Sequence, residues 1–353
     1  MTAEQTSTLA ATTPDVQAGR PATEVSLTRV GVRGIEKVIQ VRTGDPAGAD
    51  GLAGAAGDPG ADGRLYFAEL ECLVDLNPQQ AGVHMSRFEE IVNEAIDGVV
   101  LEQTLRAEEL AAAIAEQVRE RQNGLRAEVT IVARYPETVP TPGSGLRTQE
   151  IYTLFGTAVA SERGTRTLTG VEAQGMTACP CAQELVAGRS RERLAEDGFT
   201  DDEIERVFAA VPVATHNQRG IGALHIGRTE GTKAEIDARD LLHIVESSMS
   251  SEIYELMKRS DEVAVVEKAH RNPRFVEDVV REMVRRVTER YPDLGDGAFI
   301  LARQENLETI HRHSVVAERS GSLAEIRSEL ATGEHTRHHL THREWLEAPC
   351  ASE

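Results

Sequence analysis

Cysteine is scarce in this chain, with thiols only at positions 72, 179, 181 and 350 of 353 residues. That scarcity excludes a small secreted disulfide scaffold and fits a reducing compartment. No apolar run approaches the roughly 18 residues that a membrane-spanning helix needs, so no membrane partner is expected. The opening stretch, MTAEQTSTLAATTPDVQAGRP, lacks a basic segment followed by an apolar one. No secretory signal is read there, and a cytoplasmic location is expected. Basic residues are outnumbered, 38 against 58 acidic ones, for a net charge of −20. Such a surface repels nucleic-acid phosphates. An aromatic content of 4% also gives few platforms on which single-stranded bases can stack. No nucleic-acid partner is expected, and a small phosphorylated ligand would require a local basic pocket. G-x-G-x-x-G after a strand and G-x-x-x-x-G-K-[ST] are both missing, which removes motif support for dinucleotide and P-loop sites.

The apolar fraction, 40%, is enough for a sizeable soluble core. Residues 1–25 lack periodicity and are expected to be a disordered tail. SLTRVGVRGIEKVIQVR, from Ser26, alternates apolar and polar residues as a half-buried strand does, and LYFAELECLVDL (65–76) is its returning partner. Cys72 falls in that second strand and reads as a core thiol. Between the two lies a Gly-, Ala- and Asp-rich insertion, 43–63, expected to be flexible. Residues 86–122 carry helical spacing with a break near Gly98. Strands follow at 125–136, 148–162 and 165–178. The second half repeats the recipe, with strands at 220–228, 297–306 and 308–319 and helices at 237–259 and 273–291. Runs of strands with helices between them predict an α+β fold of antiparallel sheets with helices on one face. The boundaries read as a first unit at 26–163, a second at 164–325 and a His-rich C-terminal tail at 326–353. That tail is expected to be solvated, with Trp345 tethering it weakly.

Four stretches carry residue types suited to chemistry. In GMTACPCAQ (175–183), Cys179 and Cys181 flank Pro180. A disulfide across that spacing is strained, and one Cys-x-Cys without a second pair is not a zinc finger. An inert thiol, a nucleophile and a metal ligand completed by His and carboxylate remain open. In ATHNQRG (214–220), His216 can ligate through a neutral imidazole, and Arg219 offers a planar fork of donors. Asp261 and Glu262 follow the helix predicted over 237–259, where the dipole does not favour acids. In ENLETIHRH (305–313), Glu308 and His311 are three apart and would need a turn or bulge to converge.

Seven ordered motifs, SLTRVGV, HMSR, GMTACPCAQ, THNQRG, SSMSSEIYELMKRSDE, NPRFVED and ENLETIH, cover residues 26–320. Together they resemble the prokaryotic type IB GTP cyclohydrolase family of the tunnelling fold, and within it the archaeal-type branch of methanopterin biosynthesis. The resemblance implies tandem tunnelling-fold units, GTP as substrate, and a homotetramer with active sites at subunit interfaces. It also implies a divalent metal, Fe(II) first with Zn(II) or Mn(II) as alternates, held by Cys179, His216 and Glu262, with Cys181 and Glu252 as substitutes. Catalytic roles are implied for Cys179, Glu277, Glu308 and His311. Arg219, Lys258, Arg259 and Arg87 are the cations named for the triphosphate. Two departures stand out: the segment 182–213 is long, and the 43–63 insertion is unusual. The alternative activities are a thiol enzyme of the same fold acting on a deazapurine nitrile, and a non-catalytic metal-binding protein.

Overall fold

The computed structural model describes residues 15–41, 64–100, 106–232 and 234–348. The 43–63 insertion, Cys350 and the first fourteen residues of the expected tail lie outside them. Part of that tail is held in place, contrary to the expected disorder. Ala81 N–H donates to Gly19 O (2.8 Å) and Gly82 N–H to Gln17 O (3.2 Å), while Asp15 Oδ2 lies 3.2 Å from His84 Nε2.

The described elements run, in order, β1 (Leu27–Val41), β2 (Arg64–Leu76), α1 (Met85–Val100), α2 (Ala107–Arg121), β3 (Arg126–Pro140), β4 (Arg147–Ser161) and β5 (Gly164–Ala178). Then come α3 (Pro180–Glu196), α4 (Asp201–Ala210), β6 (Asn217–Arg228), α5 (Ala238–Ser248), β7 (Ser251–Glu252), α6 (Arg259–Arg271) and α7 (Val276–Arg290). The last described elements are β8 (Phe299–Leu307), β9 (Val315–Ser322), α8 (Leu323–Thr332) and α9 (His342–Glu347). The chain forms two compact units, 1–131 with 156–167, and 132–155 with 168–353. Neither is contiguous, because β3, β4 and β5 give residues to both.

In the first unit β1 and β2 pair antiparallel, with Val32 opposite Cys72. Cys72 is fully buried as expected, and burial pushes its thiol up to about 12. Helices α1 and α2 supply Phe88, Ile91, Leu110, Ile114 and Val118 to this core. Gly156 on β4 allows a close helix approach, since a Cβ there would lie 2.2 Å from the carbonyl carbon of Ala107.

In the second unit the strands run β3-β4-β5-β6-β8-β9, and β7 pairs with β5. Helices α5 and α7 place Leu241, Val245, Val279, Met283 and Val287 against Leu224, Ile226 and Ile300 of the sheet. The pairings that fix the site are antiparallel. Arg219 faces Leu307, and Gly175 faces Glu252.

Two expectations change here. The helix predicted over 237–259 stops at Ser248, because the serines of SSMSS compete with the backbone ladder. Ser248 Oγ donates back to Ile244 O (2.7 Å), and Ser250 N–H turns away to Met176 O (2.9 Å) on β5. Asp261 and Glu262 therefore open α6 rather than trail a helix, and the dipole favours them there. The Asp261 carboxylate accepts from Gly143 N–H, Ser144 N–H and Lys258 N–H at 2.7–2.8 Å. Burial pulls its pKa upward, but these donors hold it below the usual carboxylate range. The long 182–213 segment folds as α3 and α4, with Thr200 and Glu203 closing a capping box.

The C-terminal expectation is corrected as well. Residues 326–332 lie within α8 and 342–347 form α9. Trp345 is only 2% exposed, stacks on Phe299 with centroids 5.6 Å apart, and donates its indole N–H to Gly297 O (3.0 Å). A Cβ at Gly227 would meet its ring at 2.6 Å. This is a packed plug, not a weak tether. Trp345→Ala is expected to cost roughly 3–5 kcal/mol of stability, read as a lowered midpoint in urea with the slope unchanged.

Candidate active site

Cys179 sits where β5 ends and α3 begins. Pro180, lacking an N–H, suits the first helical position and leaves Cys179 as the extended N-cap. Its Sγ accepts from Ala182 N–H at 3.5 Å. Its backbone N–H donates to His216 O (3.1 Å), and Thr215 Oγ1 donates to Cys179 O (2.9 Å). Thiol and imidazole, far apart in sequence, are thus held by direct backbone bonds.

Strand alternation on β6 turns Gln218 inward, where it is buried, and leaves Arg219 exposed. The Gln218 carboxamide joins two reactive groups. Its Nε2 donates to Glu308 Oε1 (3.2 Å), so its Oε1 faces His216 Nδ1 (3.1 Å) as acceptor. That contact makes Nδ1 the protonated nitrogen and leaves the Nε2 lone pair available. Glu308 Oε2 lies 3.7 Å from the same Nδ1. Residues 308–314 form a turn rather than the start of the strand predicted over 308–319, and this turn supplies the convergence that Glu308 and His311 required. Both line one cavity of about 230 Å³ with Cys179, His216, Gln218 and Glu277. Glu277 reaches it from the first turn of α7.

Other expected residues lie elsewhere. Glu262 is exposed on α6 and does not line this cavity. Glu252 pairs with Lys268, and Cys181 is exposed on α3. Arg219, Lys258 and Arg259 are exposed outside the lining. Arg87 belongs to the first unit, where it donates to Arg121 O (3.2 Å). Three polar lining residues were not marked by the sequence: Gln218, Arg274 and Asn306. Each stands inside a quoted motif, THNQRG, NPRFVED or ENLETIH. Burial at an inward strand position marks Gln218 and Asn306 only once the register is known.

Among the described residues no three His, Cys, Asp or Glu side chains are arranged to hold a metal ion. Of the expected metal ligands the cavity holds two, the Cys179 sulfur and His216, with the imidazole oriented through Nδ1 as metal-binding histidines are.

A separate ionisable group lies on α5. Burial raises Glu246 to about 7, the neighbouring Glu252 and Glu150 add to the rise, and the Tyr152 hydroxyl opposes it. That hydroxyl donates to Glu246 Oε1 at 2.8 Å. With the folded value above the ordinary 4.5, the folded state holds the extra proton between the two. Its contribution is complete below about 4.5 and is lost as pH rises through about 7. Glu246→Gln should therefore gain on the natural chain by roughly 3 kcal/mol across that window, measured by urea denaturation at several pH values.

Fold and cavity define an α+β protein with an antiparallel sheet whose strand ends assemble thiol, imidazole, carboxamide and carboxylate groups for acid–base work on a small polar ligand. The chain belongs to the type I GTP cyclohydrolase folE2 family, whose model matches residues 13–317. It is 38% identical over 322 residues to GTP cyclohydrolase MptA of Methanococcus aeolicus, covering 90% of this chain and 99% of that relative. Its identity to GTP cyclohydrolase MptA of Methanosarcina acetivorans is 36%, covering 90% and 97%. Among solved structures it is similar to uricase from Arthrobacter globiformis, with a TM-score of 0.49, 10% identity and coverage of 90% and 98%.

Proposed function

We propose that this chain is a metal-dependent, cytoplasmic GTP cyclohydrolase that adds water at guanine C8 and expels formate. The product would be a dihydroneopterin phosphate for pterin or folate-type cofactor synthesis. The observation that carries the reading is the convergence of Cys179, His216, Glu277, Glu308 and His311 on one cavity in a chain of this family.

The residue types match the demands of the reaction. The Glu277 carboxylate is an acceptor-only group suited to the two guanine donors, N1–H and the exocyclic amine. His311 delivers a proton to the ring nitrogen that leaves C8. Glu308, fixed by Gln218, takes the proton from the attacking water. Cys179 and His216 would hold the metal, which when bound would supply a water of lowered pKa. For the third position the family resemblance names Glu262, with Glu252 as its substitute, and neither lines the cavity in this structure. We assign Fe(II) as the metal, with Zn(II) or Mn(II) as replacements, and a homotetramer as the assembly.

GMTACPCAQ and SSMSSEIYELMKR favour the 2′,3′-cyclic phosphate over the triphosphate product. Mass spectrometry of the pterin formed from GTP distinguishes the two. Chelator-treated protein should be inactive and recover with Fe(II). Full activity after complete metal removal would refute the metal-dependent reading.

A further inference from the structure

GTP carries several negative charges into a chain whose own net charge is −20, so the phosphates need a fixed cation. The cations suggested by the sequence do not line the cavity. Arg274 does, and it is the sole Lys or Arg among the lining residues. It stands in the link between α6 and α7, against the end of β5, and every part of it except the far end of the guanidinium is tied down. Its backbone N–H donates to Ala178 O (3.0 Å), the residue before Cys179. Its Nε donates to Asn272 Oδ1 (3.3 Å). Asn272 is fixed in turn, its Nδ2 donating to Met249 O (3.3 Å) and Ser250 O (3.4 Å). Ser250 closes the loop by accepting Ala178 N–H on its hydroxyl (3.0 Å).

This arrangement uses the Nε edge of the guanidinium for anchoring. The two terminal nitrogens have no hydrogen-bond or ion-pair partner among the described residues. A planar fork held at its base and free at its tips matches two oxygens of one phosphate, and less entropy is lost on binding than with a free lysine. The other charged lining groups, Glu277 and Glu308, are carboxylates. They repel phosphate, which leaves Arg274 as the lining group that attracts the anionic end of a ligand.

We propose that Arg274, buttressed by Asn272, is the phosphate-binding residue of this cavity, taking a nucleotide phosphate in bidentate fashion. The proposal rests on the GTP cyclohydrolase reading for its substrate, but not for its anion chemistry.

The test is calorimetric titration of the full chain with sodium tripolyphosphate, alongside steady-state kinetics with GTP. Arg274→Gln should weaken tripolyphosphate binding and raise KM for GTP by roughly 10- to 100-fold, with kcat falling much less. Arg274→Lys should recover only part of the loss, because charge remains while the fork is gone, and it carries the test should the glutamine variant not fold. Asn272→Ala, which frees the guanidinium base, should give a smaller rise in KM. Unchanged tripolyphosphate affinity and unchanged KM in the Arg274 variants would overturn the proposal while leaving the cyclohydrolase reading intact. A natural chain that releases no formate, yet binds tripolyphosphate through Arg274, would sink that reading and leave the anion site standing.

Discussion

Cys179→Ala is expected to release the proposed metal and to lower formate production by roughly a thousandfold or more, whereas Cys181→Ala keeps both. Loss of Lewis-acid stabilisation worth several kcal/mol gives a factor of that size. The two thiols differ in position, not in kind. Cys179 lines the cavity beside His216, while Cys181 is exposed one residue into α3. Removing the Cys179 sulfur also deletes a helix cap, since Sγ accepts from Ala182 N–H. That cap is worth about 1 kcal/mol, too little to unfold the chain. Cys179→Ser separates the effects, because the hydroxyl restores the cap but is a poor soft-metal ligand. Metal analysis of the three variants checks the assignment. Loss of metal in Cys181→Ala alone would reverse it.

Glu308→Gln is expected to lower kcat by about 10²- to 10⁴-fold, the usual worth of a positioned acid or base, with KM little changed. The substitution is nearly isosteric and keeps an oxygen able to accept from Gln218 Nε2, so the local hydrogen bonds survive. His311→Gln should cost a similar amount. If the two act on one proton path, the double variant loses little more than the worse single one, as groups acting as a unit do. Additive losses would place them in independent steps.

Strand periodicity made much of this molecule legible. The alternation in SLTRVGVRGIEKVIQVR marks β1, and that in GIGALHIGR marks most of β6. Helix ends were harder, because apolar spacing continues past Ser248 while the serines end the hydrogen-bond ladder. The same blind spot misplaced Asp261 and Glu262, whose meaning depends on whether a helix ends or starts beside them. Within the cavity, cysteine, histidine and the acids stood out by type. Gln218, Asn306 and Arg274 did not, since amides and arginines are common and only the register of β6 on β8 and the β5–α7 junction bring them inward. The burial of Trp345 was equally invisible, because it depends on a flat site that Gly227 leaves open on β6.

The central claim is GTP ring opening at this cavity. Its most direct measurement is formate released from GTP by the purified full chain, loaded with Fe(II) under anaerobic conditions. Formate and a pterin should form in equal amounts, and Glu308→Gln should slow both together by the same factor. No formate from the natural chain with Fe(II), Mn(II) or Zn(II) would contradict the account.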